Sequence, residues 1–242
     1  ILLLYAAYYY GSLSRSGFYG ALSMGIIVTL IGSWRFLFPL AAFFILSSLL
    51  SKIVKNTSIY QTKDSDRDIV QVYANGGIAL LICIFDFIQP NAINFFLFLA
   101  SISAAMSDTW ATEIGKISKK RPISIVNFIP MDHGLSGGIT RIGIIGSLLG
   151  SSLFGFTIWC VIPMPSFIVY GIILCGFVGS VFDSFLGATI QAKYETHTGE
   201  IIESSQEGAI FISGISWVNN DMVNLMNTAF TPILMYFYLK LF

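Results

Sequence analysis

Long apolar segments alternate with short polar segments along this chain. Windows without a charged residue cover 16–34, 36–51, 69–85, 87–107, 142–182 and 222–239. Most of these windows are close to the roughly 17–25 apolar residues that an α-helix needs to cross a bilayer. The window 142–182 is too long for one crossing, and Pro163 and Pro165 divide it, so it predicts two helices joined by a turn. The pattern therefore predicts a helical membrane protein.

Eight segments are the predicted helices, and together they form a single domain over residues 1–242. The segments are 1–10, 17–34, 36–52, 69–88, 91–113, 138–161, 166–190 and 215–241. We expect residues 1–10 to be part of a first span. A membrane β-barrel would instead need strands of about ten residues with alternating polarity, and the sequence has none. The predicted fold class is all-α, a polytopic bundle of seven or eight spans.

Charged residues are few, and most of them fall at one end of the predicted helices. They make up 11% of the chain, against about 25% in soluble domains. Successive spans alternate in direction, which places eleven of the thirteen Lys and Arg residues on one side and only Arg35 and Lys240 on the other. The positive-inside rule predicts that the first side is cytoplasmic. The polar loops 53–68, 114–137 and 191–214 lie on that side, so we expect the active-site chemistry there.

Three carboxylates occur where predicted helices meet these loops. Asp108 and Asp183 lie near the ends of spans, and Asp221 lies at the start of one. An ionisable residue in such a position is functional by default, although polar residues also hold membrane helices together. Carboxylate, amide and hydroxyl oxygens suit Mg²⁺, and nucleotide phosphates can complete its shell. The sequence therefore predicts Mg²⁺ ligands at Asp108, Asp183 and Asp221.

Further polar features adjoin these acids. Glu113 follows Asp108 by five residues, which is about 140° around an ideal helix. An unbroken helix cannot direct both side chains at one ion, so either the helix loosens near 112–115 or Glu113 has another role. A basic cluster at 116–121 and a glycine-rich turn at 134–138 precede the next span. A glycine-rich turn at a helix N-terminus suits a phosphate group, although these glycines could also form an ordinary turn. The basic cluster could likewise be ordinary positive-inside charge.

Five motifs together resemble a known family. They are RDIVQVYANGG at 67–77, SDTWATEIG at 107–115, GLSGG at 134–138, FDSFLGATIQ at 182–191 and WVNND at 217–221. These motifs resemble the integral-membrane family of transmembrane protein 19, which includes the phytyl-phosphate kinase of plant chloroplasts. The resemblance covers nearly the whole chain. The sequence departs from the pattern at Leu135-Ser136, where relatives often have Thr-Asn.

The resemblance implies an enzyme, a prenyl-phosphate kinase that depends on Mg²⁺. It would transfer a phosphoryl group from a nucleoside triphosphate, CTP in particular, to an isoprenyl monophosphate and so form the diphosphate. Its catalytic residues would be Asp108, Asp183, Asp221 and Glu113. Its nucleotide and phosphate contacts would be Arg67, Asn75, Lys116, Ser136, Gly137, Gly138, Arg141, Gln191 and Asn220. The expected partners are these two substrates and membrane lipid, not nucleic acid, and the isoprenyl tail would lie in a groove between apolar spans.

Two other functions fit the same residues. A membrane cytidylyltransferase that makes a CDP-lipid would use the same metal and nucleotide, but it would release pyrophosphate instead of CDP. A lipid or solute transporter would also carry intramembrane acids and Asn-rich helices. The long polar loops on one side favour an enzyme, because a transporter needs access from both faces of the membrane.

Overall fold

A computed structural model describes residues 2–55 and 66–242, which form eight α-helices and five short β-strands. The helices are α1 (Leu2–Tyr9), α2 (Arg15–Ile31), α3 (Ser33–Lys55), α4 (Ile69–Ile88), α5 (Ala92–Gly115), α6 (Arg141–Val161), α7 (Ser166–Thr189) and α8 (Asn220–Leu239). The strands, all in loops, are β1 (Ile123–Ser124), β2 (Gly138–Ile139), β3 (Lys193–Glu195), β4 (Ile201–Ile202) and β5 (Ile210–Ser213). The predicted all-α membrane bundle is confirmed. Residues 56–65 of the predicted loop 53–68 lie outside the described residues.

Each of the eight predicted segments contains a helix, but the helices differ in their capacity to cross a membrane. Helices α3, α4, α5, α6 and α7 are long and apolar enough to do so. Helix α2 is apolar but has 17 residues, and α1 has eight. The eight helices of the described residues agree with the predicted seven or eight segments. Five of these helices are both long enough and apolar enough to span a membrane.

Two helices begin later than the sequence predicted, because a strand precedes α6 and a turn precedes α8. Helix α6 begins at Arg141 and not at residue 138, since β2 pairs with β1 in a short antiparallel ladder. Helix α8 begins at Asn220 and not at residue 215, and the preceding Asn219 caps it by accepting a hydrogen bond from the Met222 N–H. The pattern of apolar residues reveals neither a short loop strand nor a helix cap, so both helix starts were predicted too early.

Helix α5 lies at the centre of the bundle. Residues 98–107 are all buried, and the helix contacts α3, α4, α6, α7 and α8. Hydroxyl groups join it to its neighbours: Ser101 donates to the Thr228 carbonyl of α8, and Ser103 donates to the Ile172 carbonyl of α7. Polar side chains thus join the helices here, as they often do in membrane proteins. This packing fixes the end of α5 that carries Asp108.

Helix α6 packs closely on α5 through small residues. A Cβ atom added at Gly146 would lie 2.8 Å from the Trp110 carbonyl oxygen, and one added at Gly150 would lie 2.7 Å from the Trp110 Cβ. In the same layer, the Ser107 and Ser147 hydroxyl groups are 2.8 Å apart. Small residues allow two helix backbones to approach this closely inside a membrane. Helix α6 is therefore packed tightly along the last turns of α5.

Candidate functional site

A polar cavity of about 640 Å³ opens at the end of the bundle where α5 ends and α4 begins. Segments that the alternation of spans places on one side all line it: residues 10–12, the end of α3, the start of α4 and the α5–α6 loop. Ten predicted site residues contribute to its wall. They are Arg67, Asn75, Asp108, Glu113, Lys116, Ser136, Gly137, Gly138, Asp183 and Asn220. The fold therefore brings most of the predicted site together, although the roles assigned to these residues remain predictions.

Asp108 and Asp183 lie near each other in this cavity, although 75 positions separate them in the chain (183 − 108). Asp108 extends from α5 and lies against Ser180 of α7. Asp183 lies beside Asn227 of α8 and is close enough to Asp108 for the two carboxylates to repel each other. Among the described residues, its buried Oδ2 atom has no hydrogen-bond partner. A buried carboxylate oxygen without a partner is unfavourable, and a cation bound by the pair would relieve both problems.

The donor chemistry of this pair fits Mg²⁺. This ion is commonly bound through one or two carboxylates, with water and substrate phosphates as its other ligands. The predicted third ligand does not join the pair, because Asp221 lies beside Asp68 and outside the cavity wall. Within residues 2–55 and 66–242, no group of three or more His, Cys, Asp or Glu side chains is placed to hold a metal. The metal set predicted from the sequence is thus reduced to Asp108 and Asp183.

The start of α8 explains why Asp221 is directed elsewhere. Neighbouring positions on a helix point about 100° apart. Asn220, the first residue of α8, lines the cavity, and Asn224 lines it one turn later. Asp221 therefore follows the cavity-facing position and points away from it. Asn220 and Asn224 thus share one face of α8 that is directed at the cavity, and Asp221, the next residue after Asn220, does not lie on that face.

Glu113 has a role different from that of Asp108. Helix α5 continues without a break to Gly115, so the first of the two alternatives, a helix that loosens near 112–115, does not occur. Glu113 instead accepts a hydrogen bond from Lys116, with 3.0 Å between Nζ and Oε1, and interacts electrostatically with Arg67. Burial lowers the pKa of Arg67, and the charge of Glu113 opposes this effect. The acid thus orients and supports two cations at the cavity wall.

The cavity wall also contains cations that the sequence analysis did not assign to the site. Lys52 and Lys55 from the last turn of α3 line it together with Arg67 and Lys116. The ammonium group of Lys52 lies 4.2 Å from the centre of the Tyr10 ring. The signal for both lysines was their position on the cation-rich side. Arg141, which was predicted to contact phosphate, is exposed and lies outside the cavity wall.

Glu203 anchors the glycine-rich turn, and sequence analysis did not single it out. Its Oε1 atom accepts from the Ser136 N–H at 2.6 Å, and its Oε2 atom accepts from the Ser136 hydroxyl and the Gln191 amide, each at 2.8 Å. Burial raises the pKa of Glu203, while these hydrogen bonds and nearby Lys193 counteract the rise. Gln191, predicted to bind phosphate, is buried and supports Glu203 instead of lining the cavity. No local pattern marks Glu203, because its main partner is 67 positions away.

The glycine-rich turn does not open a helix, contrary to the prediction. Strand β2 follows it, and Thr140 then caps α6 by accepting from the Gly143 N–H at 3.0 Å. The Gly138 N–H donates to the Leu135 carbonyl at 3.4 Å, so the turn itself uses this donor. Gly137 has a φ of +84°, and an added Cβ atom would lie 2.5 Å from the backbone of Ala188 in α7. The turn is therefore packed against α7 and shapes the cavity wall.

Comparison with known proteins identifies relatives over most of the chain. An uncharacterized membrane protein of Methanocaldococcus jannaschii is 30% identical over 191 residues, which cover 75% of this chain and 76% of the relative. Protein PGR of Arabidopsis thaliana is 27% identical over an alignment of 271 positions, covering 96% of this chain and 91% of the relative. An uncharacterized membrane protein of Synechocystis is 25% identical over 219 residues, covering 88% and 77%.

No solved structure matches this chain. The family described as "Integral membrane protein DUF92" matches residues 1–232. A match of this length, in a chain whose described residues include five helices suited to crossing a membrane, shows that the protein belongs to the DUF92 family of integral membrane proteins.

Proposed function

We propose that this protein is a membrane phosphotransferase. It transfers the terminal phosphoryl group of a nucleoside triphosphate, with CTP as the expected nucleotide, to an isoprenyl monophosphate at the cytoplasmic face of the membrane. The observation that carries the proposal is the polar cavity, in which the paired carboxylates Asp108 and Asp183 lie among the side chains of several cations. That combination suits a reaction between two phosphate groups and one divalent ion.

The acceptor determines what the cavity must provide. A phosphate monoester already carries negative charge at neutral pH, so its attack requires no strong general base. The difficulty is to bring two anions together, and catalysis then depends on positioning and charge neutralisation. Arg67 and Lys116 line the cavity and are supported by Glu113. These cations can hold the two phosphate groups near each other.

The chemistry is a single displacement at phosphorus. An oxygen of the isoprenyl monophosphate forms a bond to the γ-phosphorus, while the bond from that phosphorus to the β–γ bridging oxygen breaks. The products are the isoprenyl diphosphate and the nucleoside diphosphate. Asp108 and Asp183 would hold Mg²⁺, which when bound would neutralise charge on the transferred group and the leaving diphosphate.

The arrangement of loops supports an enzyme over a transporter. Several polar segments of the described chain line the same cavity at one end of the bundle. The opposite end has short connections at Gly32, Gln89–Asn91 and Ile162–Pro165, each only a few residues long. Polar loops gathered at one end are expected of an enzyme that acts on water-soluble nucleotides.

Product analysis tests the proposal. The purified protein is incubated with a panel of isoprenyl monophosphates and with CTP radiolabelled in either the α- or the γ-phosphate. We expect label from the γ-phosphate in the lipid product, with release of CDP. Label from the α-phosphate in the lipid, with release of pyrophosphate, would identify a cytidylyltransferase. Unlabelled lipid with every acceptor tested would contradict the proposal.

A further inference from the structure

A second cavity, of about 520 Å³, lies between α2, α3 and α4 and is mostly apolar. Leu22, Ile26, Leu37 and Phe44 are among the side chains in its wall. It shares three wall residues with the polar cavity: Arg67, Gln71 and Asn75. The two cavities therefore meet at the start of α4, and this apolar groove continues from the polar cavity into the bundle.

The direction of the helices shows how far the groove extends. Helices α2 and α4 begin side by side at the polar end, where the Ser14 N–H donates to the Arg67 carbonyl at 3.0 Å. Helix α4 lines the groove only as far as Gly76, whereas α2 lines it from residue 21 to residue 30. Those residues of α2 cover about 14 Å of helix axis. The groove thus runs from the polar cavity toward the opposite end of the helices.

The wall of the groove leaves room for a ligand and is open to the surroundings. A Cβ atom added at Gly25 would have no neighbouring atom within 4 Å, so this position faces open space. Leu30, at the far end, is 78% exposed, and Ile26 is 50% exposed. A hydrocarbon chain could therefore enter sideways from the lipid phase. Burial of such a chain against aliphatic and aromatic side chains is favourable.

We propose that this groove binds the hydrocarbon chain of the phosphorylated acceptor, and that Arg67 binds its phosphate where the groove meets the polar cavity. This assignment rests on the proposed function. The commitment to a lipid with a phosphate headgroup comes from the junction, because a guanidinium group is well suited to hold phosphate through two hydrogen bonds. A chain bound in this way places its phosphate in the cavity that contains Asp108 and Asp183. Ordinary membrane lipid could fill the groove but would not require a phosphate at Arg67.

Photo-crosslinking tests the location without requiring turnover. The purified protein in lipid nanodiscs is exposed to an isoprenyl monophosphate that carries a diazirine in its chain, and crosslinked peptides are mapped by mass spectrometry. We expect crosslinks within residues 21–30 and 37–44, suppressed by excess unlabelled isoprenyl monophosphate but not by the corresponding alcohol. Crosslinks spread over other exposed positions, such as Leu148 and Leu149 of α6, with no competition would overturn the assignment.

Substitution inside the groove provides a kinetic test. Gly25→Phe should place a ring in the groove, because an added Cβ atom at Gly25 has no neighbour within 4 Å. Gly77→Phe is the matched control in α4, where an added Cβ atom has no neighbour closer than 3.8 Å. For a long-chain isoprenyl monophosphate, Gly25→Phe should raise KM about tenfold or more. For a water-soluble five-carbon prenyl monophosphate, KM should be unchanged, and Gly77→Phe should alter neither value. An equal change in KM for both acceptors, or no change for the long-chain acceptor, would overturn the assignment of the groove to the hydrocarbon chain.

The two experiments separate this assignment from the proposed function. Competed crosslinks in α2 and α3 without phosphoryl transfer would support the groove and contradict the kinase. Phosphoryl transfer with crosslinks elsewhere would support the kinase and contradict the groove.

Discussion

Individual side chains at the cavity are held by partners that lie far apart in the sequence. Glu203 binds Ser136 across 67 positions, and Asp183 of α7 faces Asp108 of α5. Each of these carboxylates is partly buried, where an acid without a donor or a cation is unfavourable. Glu203 is satisfied by hydrogen-bond donors, whereas the buried Oδ2 atom of Asp183 has no hydrogen-bond partner among the described residues. Glu203 therefore supports the wall of the cavity, whereas Asp108 and Asp183 are the two acids to which we assign a metal ion in the proposed function.

The titration of Glu203 should be visible in the stability of the protein. Burial raises its pKa above that of an unfolded glutamate, which is about 4.3, so the folded protein binds the proton more tightly than the unfolded chain. The resulting stabilisation is fully present below the unfolded pKa and is lost as pH rises through the folded pKa. As pH rises from the unfolded pKa through the folded pKa of Glu203, the unfolding temperature of the wild type should therefore fall relative to that of Glu203→Gln. A difference that stays constant with pH would contradict the prediction.

The sequence predicted some of these side chains and could not predict others. Asp108 and Asp183 stood out because an acid in an apolar helix is rare and needs an explanation. Glu203 and Lys52 lie among other charged residues, and only the fold shows which of these reach the cavity. Asp221 was wrongly grouped with the pair because its direction depends on the residue at which α8 begins. A shift of one position on a helix turns a side chain by about 100°.

Among the secondary-structure elements, α5 and α6 pack closely together beside the site. Gly146 and Gly150 of α6 lie directly against Trp110 of α5, and Ser107 and Ser147 form a hydrogen bond in the same layer. This contact holds the last turns of α5, and with them Asp108 and Glu113, in a fixed direction. The sequence predicted both helices but not this contact, because the positions of glycines in a helix do not indicate which other helix packs against them.

Replacing a glycine at this contact should destabilise the protein. In Gly150→Ala, the new Cβ atom would lie 2.7 Å from the Trp110 Cβ, and overpacking of this kind costs about 1–3 kcal/mol. Gly77→Ala is the matched control, since its Cβ atom has no neighbour closer than 3.8 Å and alanine favours a helix by roughly 0.5–1 kcal/mol over glycine. Thermal unfolding in detergent should show a lower Tm for Gly150→Ala only. Equal Tm values for the two variants would refute the close contact.

At the scale of the whole molecule, the charged side chains are concentrated at one end of the bundle, and this asymmetry predicts which end is cytoplasmic. Cations from the ends of α3, α4 and α5 meet at the polar cavity, whereas Arg35 and Lys240 lie at the opposite ends of helices. Hydropathy predicted which segments are helices, because an apolar stretch must form hydrogen bonds within itself in a bilayer. Hydropathy could not predict the short loop strands that shape the cavity, since these depend on pairing between polar segments.

Sidedness can be tested by labelling from outside intact cells. In a Cys160→Ser background, single cysteines are introduced at Asn127 and Thr198 in the cavity-side loops and at Gln89 in an opposite connection; all three positions are exposed. The two remaining native cysteines, Cys83 and Cys175, are buried. A membrane-impermeant maleimide should label Gln89→Cys and leave the other two unmodified until the cells are opened. External labelling of Asn127→Cys or Thr198→Cys would show that the predicted orientation is wrong.

Turnover by Asp108→Asn and Asp183→Asn tests most directly whether the carboxylate pair carries phosphoryl transfer. The amide retains the shape and one oxygen but removes a charge, and the loss of a comparable electrostatic contact lowers kcat about 10²–10³-fold. Asp86→Asn is the matched control, because this acid lies at the opposite end of α4, where it accepts hydrogen bonds from Asn91 and Asn94. We predict normal expression, a Tm at or above that of the wild type and almost no transfer at any Mg²⁺ concentration for the first two variants, with wild-type turnover in Asp86→Asn. Wild-type turnover in Asp108→Asn, or a loss of turnover explained wholly by unfolding, would contradict the role of the pair.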